Sequence, residues 1–237
     1  DNRLHFVPYQ DDCNDLEALA EAAEETSARL VYLSNPDNPA GTWHTSGDLQ
    51  AFVDRLPSGC ILILDEAYIE FAPVEAAPPL DPADPRVIRM RTFSKVYGMA
   101  GARIGYAIAA AETIAAFEKV RHHFGVNRIA QTGALASLGD PAFVQGVVEA
   151  VAEGRREYAA LGQALGLPTL PSATNFVSFD AGDVERARAM MDALLERGAF
   201  VRKPGAPPLD RCFRVTVGTA EERAIFEERL TLVVKDL

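Results

Sequence analysis

Short apolar runs alternate with helical patterns along the first half of the chain. The runs cover residues 30–34, 61–64, 87–90 and 104–108. Strands that alternate with helical segments usually build a mostly parallel sheet covered by helices. The run at 61–64 is apolar at every position, which is typical of a strand with both sheet faces covered. The first half of the chain is therefore predicted to be an α/β structure.

The second half begins with helices and continues as a compact α+β unit. Helices are predicted from Ala111, from Asn127 and from Asp140-Pro141. Further on, the pattern predicts strands and helices at residues 175–179, 184–197, 200–202, 213–217 and from 220 onward. The long third helix could connect two domains, which we expect at residues 1–148 and 149–237.

The charge balance disfavours two kinds of partner. The chain has 237 residues, with 23 Lys and Arg against 34 Asp and Glu, so its formal net charge is −11. An acidic chain is poorly suited to bind nucleic acid or an anionic membrane. No apolar run approaches the roughly 20 residues that cross a bilayer, and the N-terminus lacks a signal-peptide pattern, which predicts a cytoplasmic protein. Cys13, Cys60 and Cys212 are widely spaced, which favours reduced thiols over disulfides or a metal site.

Polar clusters lie where predicted strands meet loops, the crevice in which α/β sheets bind ligands. The first cluster covers residues 35–42, Asn-Pro-Asp-Asn-Pro-Ala-Gly-Thr, and could also be only a rigid turn. The second, Asp-Glu-Ala-Tyr at residues 65–68, directly follows an apolar strand. An acid there has to be paired, because an isolated buried charge is costly; a helix cap is the alternative role for Asp65. Glu66 should point to the opposite side of the strand and be structural.

Two further clusters carry basic residues. Within residues 91–103, Lys95 lies among hydroxyls and glycines, and Arg103 follows it. This pattern suits an amine beside a bound phosphate, because hydroxyls and a guanidinium can satisfy phosphate oxygens. Arg214 lies in a predicted strand whose alternate residues face opposite sides. Arg214 therefore either points to solvent or binds an anion. The alternative for Lys95 is a solvated loop lysine.

Together these clusters resemble the fold-type I aminotransferases that use pyridoxal phosphate, and among them the histidinol-phosphate aminotransferase family. The motifs are Asn-Pro-x-Asn-Pro-x-Gly, Asp-Glu-Ala-Tyr, Thr-x-Ser-Lys followed by Gly-x-Ala-Gly-x-Arg, and Phe-Arg-Val-Thr-Val-Gly-Thr. They occur in the family's order, and the resemblance extends from about Leu4 to Val234. It implies a three-layer α/β/α large domain with a mostly parallel sheet, lacking its N-terminal part here, plus a smaller C-terminal α+β domain.

The resemblance also implies roles for the residues on the cofactor side. Lys95 would form the Schiff base with the aldehyde of pyridoxal 5'-phosphate and later move the proton between Cα and C4′. Asp65 would pair with the pyridine nitrogen and keep it protonated, so that the ring accepts electrons. Asn38 and Tyr68 would hydrogen-bond the phenolic oxygen. The catalytic residues implied are thus Lys95, Asp65 and Tyr68.

A second set of residues would hold the phosphate and the substrate. Thr92, Ser94 and Arg103 would bind the cofactor phosphate, again by resemblance. Arg214 would bind the acidic group of the substrate, and Arg202 on a neighbouring strand could help it accept either a phosphate or a carboxylate. The partners implied are a small-molecule amino donor and a 2-oxo acid.

The start of the chain departs from the family pattern. Only 37 residues precede Asn38, whereas the family places there an N-terminal arm, a tyrosine offered to the neighbouring subunit and a loop that completes the phosphate cup. We therefore expect the chain to be part of a longer enzyme. Because the family borrows a tyrosine across its interface, the resemblance also implies a homodimer with the active site at the subunit boundary.

Several functions stay open at this stage. The leading hypothesis is amino-group transfer between L-histidinol phosphate and glutamate or 2-oxoglutarate, in histidine biosynthesis. An aromatic amino acid aminotransferase and a threonine-phosphate decarboxylase use related chemistry, and the sequence does not separate them. The non-enzyme alternative is a ligand-binding regulatory domain that keeps the fold without turnover. No basic DNA-binding extension in the chain supports that alternative.

Overall fold

The fold begins with a short hairpin that leads into a helix. The structure, a computed structural model, describes residues 3–77, 81, 83–205 and 207–237. Strands β1 (Tyr9–Gln10) and β2 (Cys13–Asn14) pair antiparallel across a tight turn. Helix α1 (Leu16–Glu25) follows, and the side chain of Asp15 caps its N-terminus.

A four-stranded sheet forms the centre of the first half. Its strands, hydrogen-bonded in this order, are β3 (Leu30–Ser34), β4 (Ile61–Asp65), β5 (Val87–Thr92) and β6 (Gly105–Ile108). The first three run parallel, whereas β6 is antiparallel to β5. Helix α2 (Ser46–Arg55) connects β3 to β4. The prediction of an α/β fold with a mostly parallel sheet is confirmed.

One face of the sheet packs against α1 and α2. Leu62 and Leu64 of β4 are fully buried there, together with Leu49 and Phe52 of α2. Full burial of side chains of this size contributes about 1.5–3 kcal/mol each. The alternate residues point to the other face, where Tyr32 of β3 is 61% exposed. That face therefore leaves polar side chains at the strand ends open to ligands.

The second half consists of helices and a small sheet. Its helices are α3 (Ala111–Glu118), α4 (Arg128–Leu138), α5 (Pro141–Ala164), α6 (Val184–Glu196) and α7 (Ala220–Asp236). Strands β7 (Phe176–Asp180) and β8 (Cys212–Thr216) pair antiparallel. In the described part of the chain, no helix is both long enough and apolar enough to span a bilayer.

The strand predicted at residues 200–202 is wrong for the described structure. Only Arg202 pairs there, through an isolated bridge to Arg214. Arg202 N donates to Arg214 O at 3.0 Å, and Arg214 N donates to Arg202 O at 2.7 Å. Pro204 follows two residues later and has no N–H to donate, so the ladder does not extend. Arg202 nevertheless lies directly beside β8.

The C-terminal half has its own hydrophobic core. The rings of Phe179 on β7 and Phe213 on β8 stack with their centroids 5.3 Å apart, and Tyr158 of α5 packs edge-on against Phe179. Tyr68 from the first half is buried in the same cluster, so the two halves share part of this core. The expected domain division after residue 148 stays a prediction.

Candidate active site

Two buried polar side chains hold the Asn-Pro turn after β3. Asn35 donates from Nδ2 to the carbonyl oxygen of His44 at 3.2 Å, and its Oδ1 accepts from His44 N at 2.8 Å. Asp37 accepts from Ser34 Oγ at 2.7 Å and from Ala40 N at 3.0 Å. Both side chains are almost completely buried, so these bonds are shielded from water. The turn is therefore a rigid support for the exposed residue at its tip.

That residue, Asn38, meets Arg214 although the two lie in different halves of the chain. Arg214 on β8 donates from its guanidinium to Oδ1 of Asn38. The guanidinium carbon also lies 4.5 Å from the centroid of the Phe176 ring, a stabilising arrangement for a cation. Burial lowers the pKa of Arg214, and the charge of Arg202 lowers it further. Arg214 forms no salt bridge with the described residues, so its charge is available to an anionic ligand.

Asp65 is the last residue of β4, and each of its two carboxylate oxygens accepts a hydrogen bond. Tyr32 Oη donates to Oδ2 at 2.7 Å, and Ala67 N donates to Oδ1 at 2.9 Å. Burial raises the pKa of Tyr32, and its bond to Asp65 raises it further, so the tyrosine stays a donor. A carboxylate oxygen can accept a second bond, which leaves Asp65 able to bind a ligand donor.

Tyr32 is a site residue that none of the sequence motifs contains. Tyr32 pairs with Ile63 across the parallel strands β3 and β4, which brings its hydroxyl within reach of Asp65 two residues further on. A tyrosine in a mostly apolar strand, beside a strand that ends in an acid, indicates that the two side chains could meet. The register between the strands, which decides the contact, is not visible in one sequence.

Glu66 points to the opposite face from Asp65, as predicted. Its side chain is fully buried, and Arg89 donates from Nε to both carboxylate oxygens at 3.0 Å and from Nη2 to Oε1 at 2.7 Å. Arg91 Nε donates to Oε2 at 2.9 Å. Charge-assisted bonds of this kind are about twice as strong as neutral ones. Because both arginines belong to β5, Glu66 ties β4 to β5.

Lys95 lies in the loop after β5 with its amine over an aromatic ring. Its Nζ is 4.9 Å from the centroid of the Tyr68 ring. The buried Tyr68 ring meets that of Phe176 edge-on, with centroids 5.4 Å apart. Within the part of the chain that the structure describes, Lys95 has no ion-pair partner. No carboxylate of the described residues therefore pairs with this amine.

The hydroxyl pair predicted to hold a phosphate is assembled at the end of β5. Thr92 Oγ1 lies 2.9 Å from Ser94 Oγ, to which it donates, and 3.0 Å from Ser94 N, from which it accepts. Arg103 is exposed, and its guanidinium donates to the carbonyl oxygen of Ala100 at 2.8 Å. The carbonyl oxygen of Ile104 lies 3.4 Å from Thr92 Oγ1. The backbone next to Arg103 thus contacts the hydroxyl pair, whereas the described hydrogen bond of the Arg103 guanidinium goes to Ala100.

The anion-binding side combines two arginines with an aromatic ring. Arg202 is exposed and is held beside Arg214 by their backbone bridge. Phe176 contacts both Tyr68 and Arg214, and the sequence analysis does not identify it as a site residue. Phe176 and Arg214 lie on the same face of the β7–β8 pair, a relation that follows from register. Within residues 3–77, 81, 83–205 and 207–237, no group of three or more His, Cys, Asp or Glu side chains could hold a metal.

Comparison with known families shows where the chain belongs. The family model described as aminotransferase class I and II matches residues 2–230. The chain belongs to the class I and II aminotransferases. The matched range contains the Asn-Pro turn, the Lys95 loop and β8, so the relationship to these aminotransferases covers every part of the candidate site.

Several similar aminotransferases share one name. The chain is 38% identical to the histidinol-phosphate aminotransferase of Bacillus velezensis, over 98% of this chain and 64% of that one. It is 42% identical to that of Symbiobacterium thermophilum, over 91% and 59%. A crystal structure of histidinol-phosphate aminotransferase from Sinorhizobium meliloti, in complex with pyridoxal-5'-phosphate, aligns with TM-score 0.95 at 44% identity, over 99% of this chain and 65% of that one. The chain thus spans 59–65% of these relatives' lengths.

Proposed function

We propose that the chain carries a pyridoxal phosphate-dependent site for amino transfer between L-histidinol phosphate and 2-oxoglutarate. One observation carries the proposal: an amine and a guanidinium flank a pair of aromatic rings. Lys95 Nζ lies 4.9 Å from the Tyr68 ring, whose centroid is 5.4 Å from that of Phe176, and Phe176 lies 4.5 Å from the Arg214 guanidinium. An anionic amino donor needs both groups, one for its amine end and one for its acid. The names of the similar aminotransferases support this choice.

The residues present fit the cofactor. Asp65 keeps free acceptor positions for a protonated ring nitrogen, because each of its oxygens has a single described donor. Thr92 and Ser94 form a hydroxyl pair suited to phosphate oxygens, and Arg103 adds an exposed guanidinium nearby in the chain. When bound, pyridoxal phosphate supplies a reactive aldehyde and an electron-accepting ring. The described Lys95 amine, free of ion pairs, is suited to attachment at that aldehyde.

The proposed catalytic steps belong to Lys95, Asp65 and Tyr68. Lys95 Nζ removes the proton from the substrate Cα and returns a proton at the end of the exchange. Asp65 would accept a hydrogen bond from the protonated ring nitrogen and stabilise the charge that develops during proton transfer. Tyr68 and Asn38 would hydrogen-bond the phenolic oxygen of the cofactor. The Tyr68 ring also positions the Lys95 side chain, since Nζ lies 4.9 Å from the ring centroid.

Substrate choice rests on the arginines. Histidinol phosphate carries CH2-O-phosphate where glutamate carries its α-carboxylate, so one site has to accept either anion. The planar guanidinium of Arg214 can bond two oxygens of either group. Arg202, held beside it by the backbone bridge, supplies a second charge for the phosphate dianion. An aromatic amino acid aminotransferase and a threonine-phosphate decarboxylase remain the alternatives within the same chemistry.

The assembly and location proposed for the whole protein are a homodimer in the cytoplasm. The dimer proposal rests on the family resemblance, which implies a tyrosine offered across the subunit boundary. The division into a large domain at 1–148 and a small domain at 149–237 is likewise proposed.

A donor panel tests the proposed function. The full-length protein, loaded with pyridoxal phosphate, is mixed with L-histidinol phosphate, L-phenylalanine or L-threonine phosphate, and the visible spectrum of the cofactor is followed. We expect kcat/KM for histidinol phosphate to exceed that for the other donors at least about tenfold, as about 1.4 kcal/mol of extra binding would give. A preference for phenylalanine, or carbon dioxide release from threonine phosphate, would replace the substrate assignment. Cofactor binding without turnover of any donor would favour the regulatory-domain alternative.

A further inference from the structure

The N-terminal hairpin contacts the turn that carries Asn38. Asp37, the residue before it, is 3% exposed and accepts from Tyr9 Oη and from Asn14 Nδ2, each at 3.0 Å. Burial raises the pKa of Tyr9, and the charge of Asp37 raises it further, so the tyrosine remains a donor. Both strands of the hairpin are thereby bound to one buried carboxylate.

The tip of the same hairpin contacts the C-terminal half. Asp12 has a φ of 61°, the left-handed conformation of a tight turn. Its carboxylate lies 2.7 Å from Arg211 Nη2, and Arg211 Nε donates to Asp180 at 2.8 Å. The carbonyl oxygen of Asp12 also accepts from Thr42 Oγ1 at 3.0 Å. Arg211 directly precedes β8, the strand that carries Arg214.

We propose that the hairpin, residues 9–14, sets the position of Asn38 relative to Arg214 in the amino-transfer site. Asp12, Arg211 and Asp37 are then positioning residues that act through the groups touching cofactor and substrate. Moving either side would break the Asp12 ion pair or remove two of the four donors to the buried Asp37 carboxylate, and both changes are costly. This inference rests on the proposed function, because it assigns Asn38 and Arg214 to one ligand-binding site.

The direct bond from Arg214 to Asn38 does not fix this distance in a liganded site. An anion bound at Arg214 competes for the same guanidinium, whereas the hairpin uses other groups and stays bound. Main-chain contacts also join the turn to the C-terminal half, since Ala173 N donates to Gly41 O at 2.8 Å. Loss of the hairpin contact should therefore weaken substrate binding moderately and leave the fold intact.

The test compares Asp12→Asn with Glu157→Gln in the full-length holoenzyme. The control removes the partner of Arg223, an ion pair at 2.5 Å between α5 and α7, which carry no proposed site residue. For Asp12→Asn we expect KM for histidinol phosphate and for glutamate to rise about five- to tenfold, with kcat within about twofold, a typical size for an indirect coupling. The Kd for inorganic phosphate, the anion probe, should rise equally. Asp12→Glu should restore most of both, and Glu157→Gln should change neither.

Unchanged KM and phosphate affinity in Asp12→Asn, or changes equal to those of Glu157→Gln, would overturn the positioning role. If Asp12→Asn does not fold, Tyr9→Phe removes the hairpin's bond to Asp37 and is expected to raise KM in the same way; an unchanged KM there would also overturn it. The two proposals fail separately. A wild-type protein that transfers no amino group refutes the proposed function. In that case the Kd for inorganic phosphate, compared between Asp12→Asn and the wild type, still decides whether the hairpin positions Arg214.

Discussion

The two faces of the sheet at the end of β4 hold adjacent acids with opposite surroundings. On one face, Glu66 is fully buried, and Arg89 and Arg91 occupy both of its oxygens. On the other, Asp65 receives one donor per oxygen, from Tyr32 and Ala67, and keeps acceptor capacity. A saturated buried carboxylate stabilises the structure that contains it, whereas an acid with open acceptor positions can bind a ligand. The same strand end thus supplies a structural and a functional acid.

The largest expected effect is on the open face. Asp65→Asn should lower kcat/KM about a thousandfold, because one preorganised electrostatic partner of the developing charge typically contributes 10²–10³. The free energy of unfolding should change little, since Asn Oδ1 can still accept from Ala67 N and Asn Nδ2 can donate to Tyr32 Oη. Steady-state kinetics and urea denaturation of the same preparation measure both. A kcat/KM of Asp65→Asn within tenfold of the wild-type value would contradict the functional role that distinguishes Asp65 from Glu66.

The covered face should show the reverse pattern. Glu66→Gln leaves Arg89 and Arg91, with side chains 11% and 23% exposed, without a countercharge. Breaking such a buried pair costs about 3 kcal/mol of unfolding free energy. Urea denaturation checks this value, with Asp65→Asn as the matched control. Equal stability of the two variants would contradict the structural assignment of Glu66.

An intermediate effect is expected on the C-terminal side of the site. Arg214→Lys should weaken both half-reactions by about 2 kcal/mol, or roughly 30-fold, because an ammonium cannot bond two oxygens as the planar guanidinium does. Stopped-flow traces with glutamate and with histidinol phosphate give the two second-order rate constants, and Arg223→Lys is the control outside the site. If one substrate is unaffected, Arg202 is the next residue to test for that anion.

The smallest effect concerns a third acid, Glu70, whose Oε2 is buried with no hydrogen-bond partner among the described residues. Burial raises the pKa of Glu70 above its unfolded value. The folded state therefore holds the proton more tightly. The resulting stability is fully present below about pH 4.5, the ordinary pKa of a glutamate, and is lost as the pH rises through the folded pKa. Glu70→Gln should accordingly stabilise the protein by about 1 kcal/mol at pH 7 and by nothing near pH 4.

Thermal unfolding of Glu70→Gln at the two pH values checks this prediction. Glu75→Gln, another glutamate in the same stretch of chain, is the control. A stabilisation that is the same at both pH values would assign the effect to packing instead of charge. A destabilisation at pH 7 would mean that the carboxylate makes a favourable contact when ionised.

The sheet and its polar end could be predicted because both depend on local pattern. Short, mostly apolar runs mark β3, β4 and β5, and parallel strands present their carboxyl ends at one edge. Asp65 and Thr92 directly end two of these strands and Lys95 follows closely, so their shared location follows from the strand assignment alone. The opposite orientation of Glu66 follows from the alternation of side chains along a strand.

The contacts that complete the site join residues that lie far apart in the sequence, and no local pattern predicts them. Arg214 meets Asn38 across 176 positions, and Asp12 meets Arg211 across 199. Tyr32 and Phe176 reach the site through strand register, which one sequence does not define. The strand expected at 200–202 fails for a different reason, since Pro204 limits pairing there to one bridge.

Covalent attachment of the cofactor tests the central claim most directly. The full-length protein, loaded with pyridoxal phosphate, is reduced with borohydride, digested and analysed by mass spectrometry. We predict that the cofactor mass is found on Lys95, and that Lys95→Ala loses both this label and the visible absorbance of the bound cofactor. A label on Lys119, Lys203 or Lys235, with Lys95 unmodified, would contradict the assignment of the amine that lies over Tyr68.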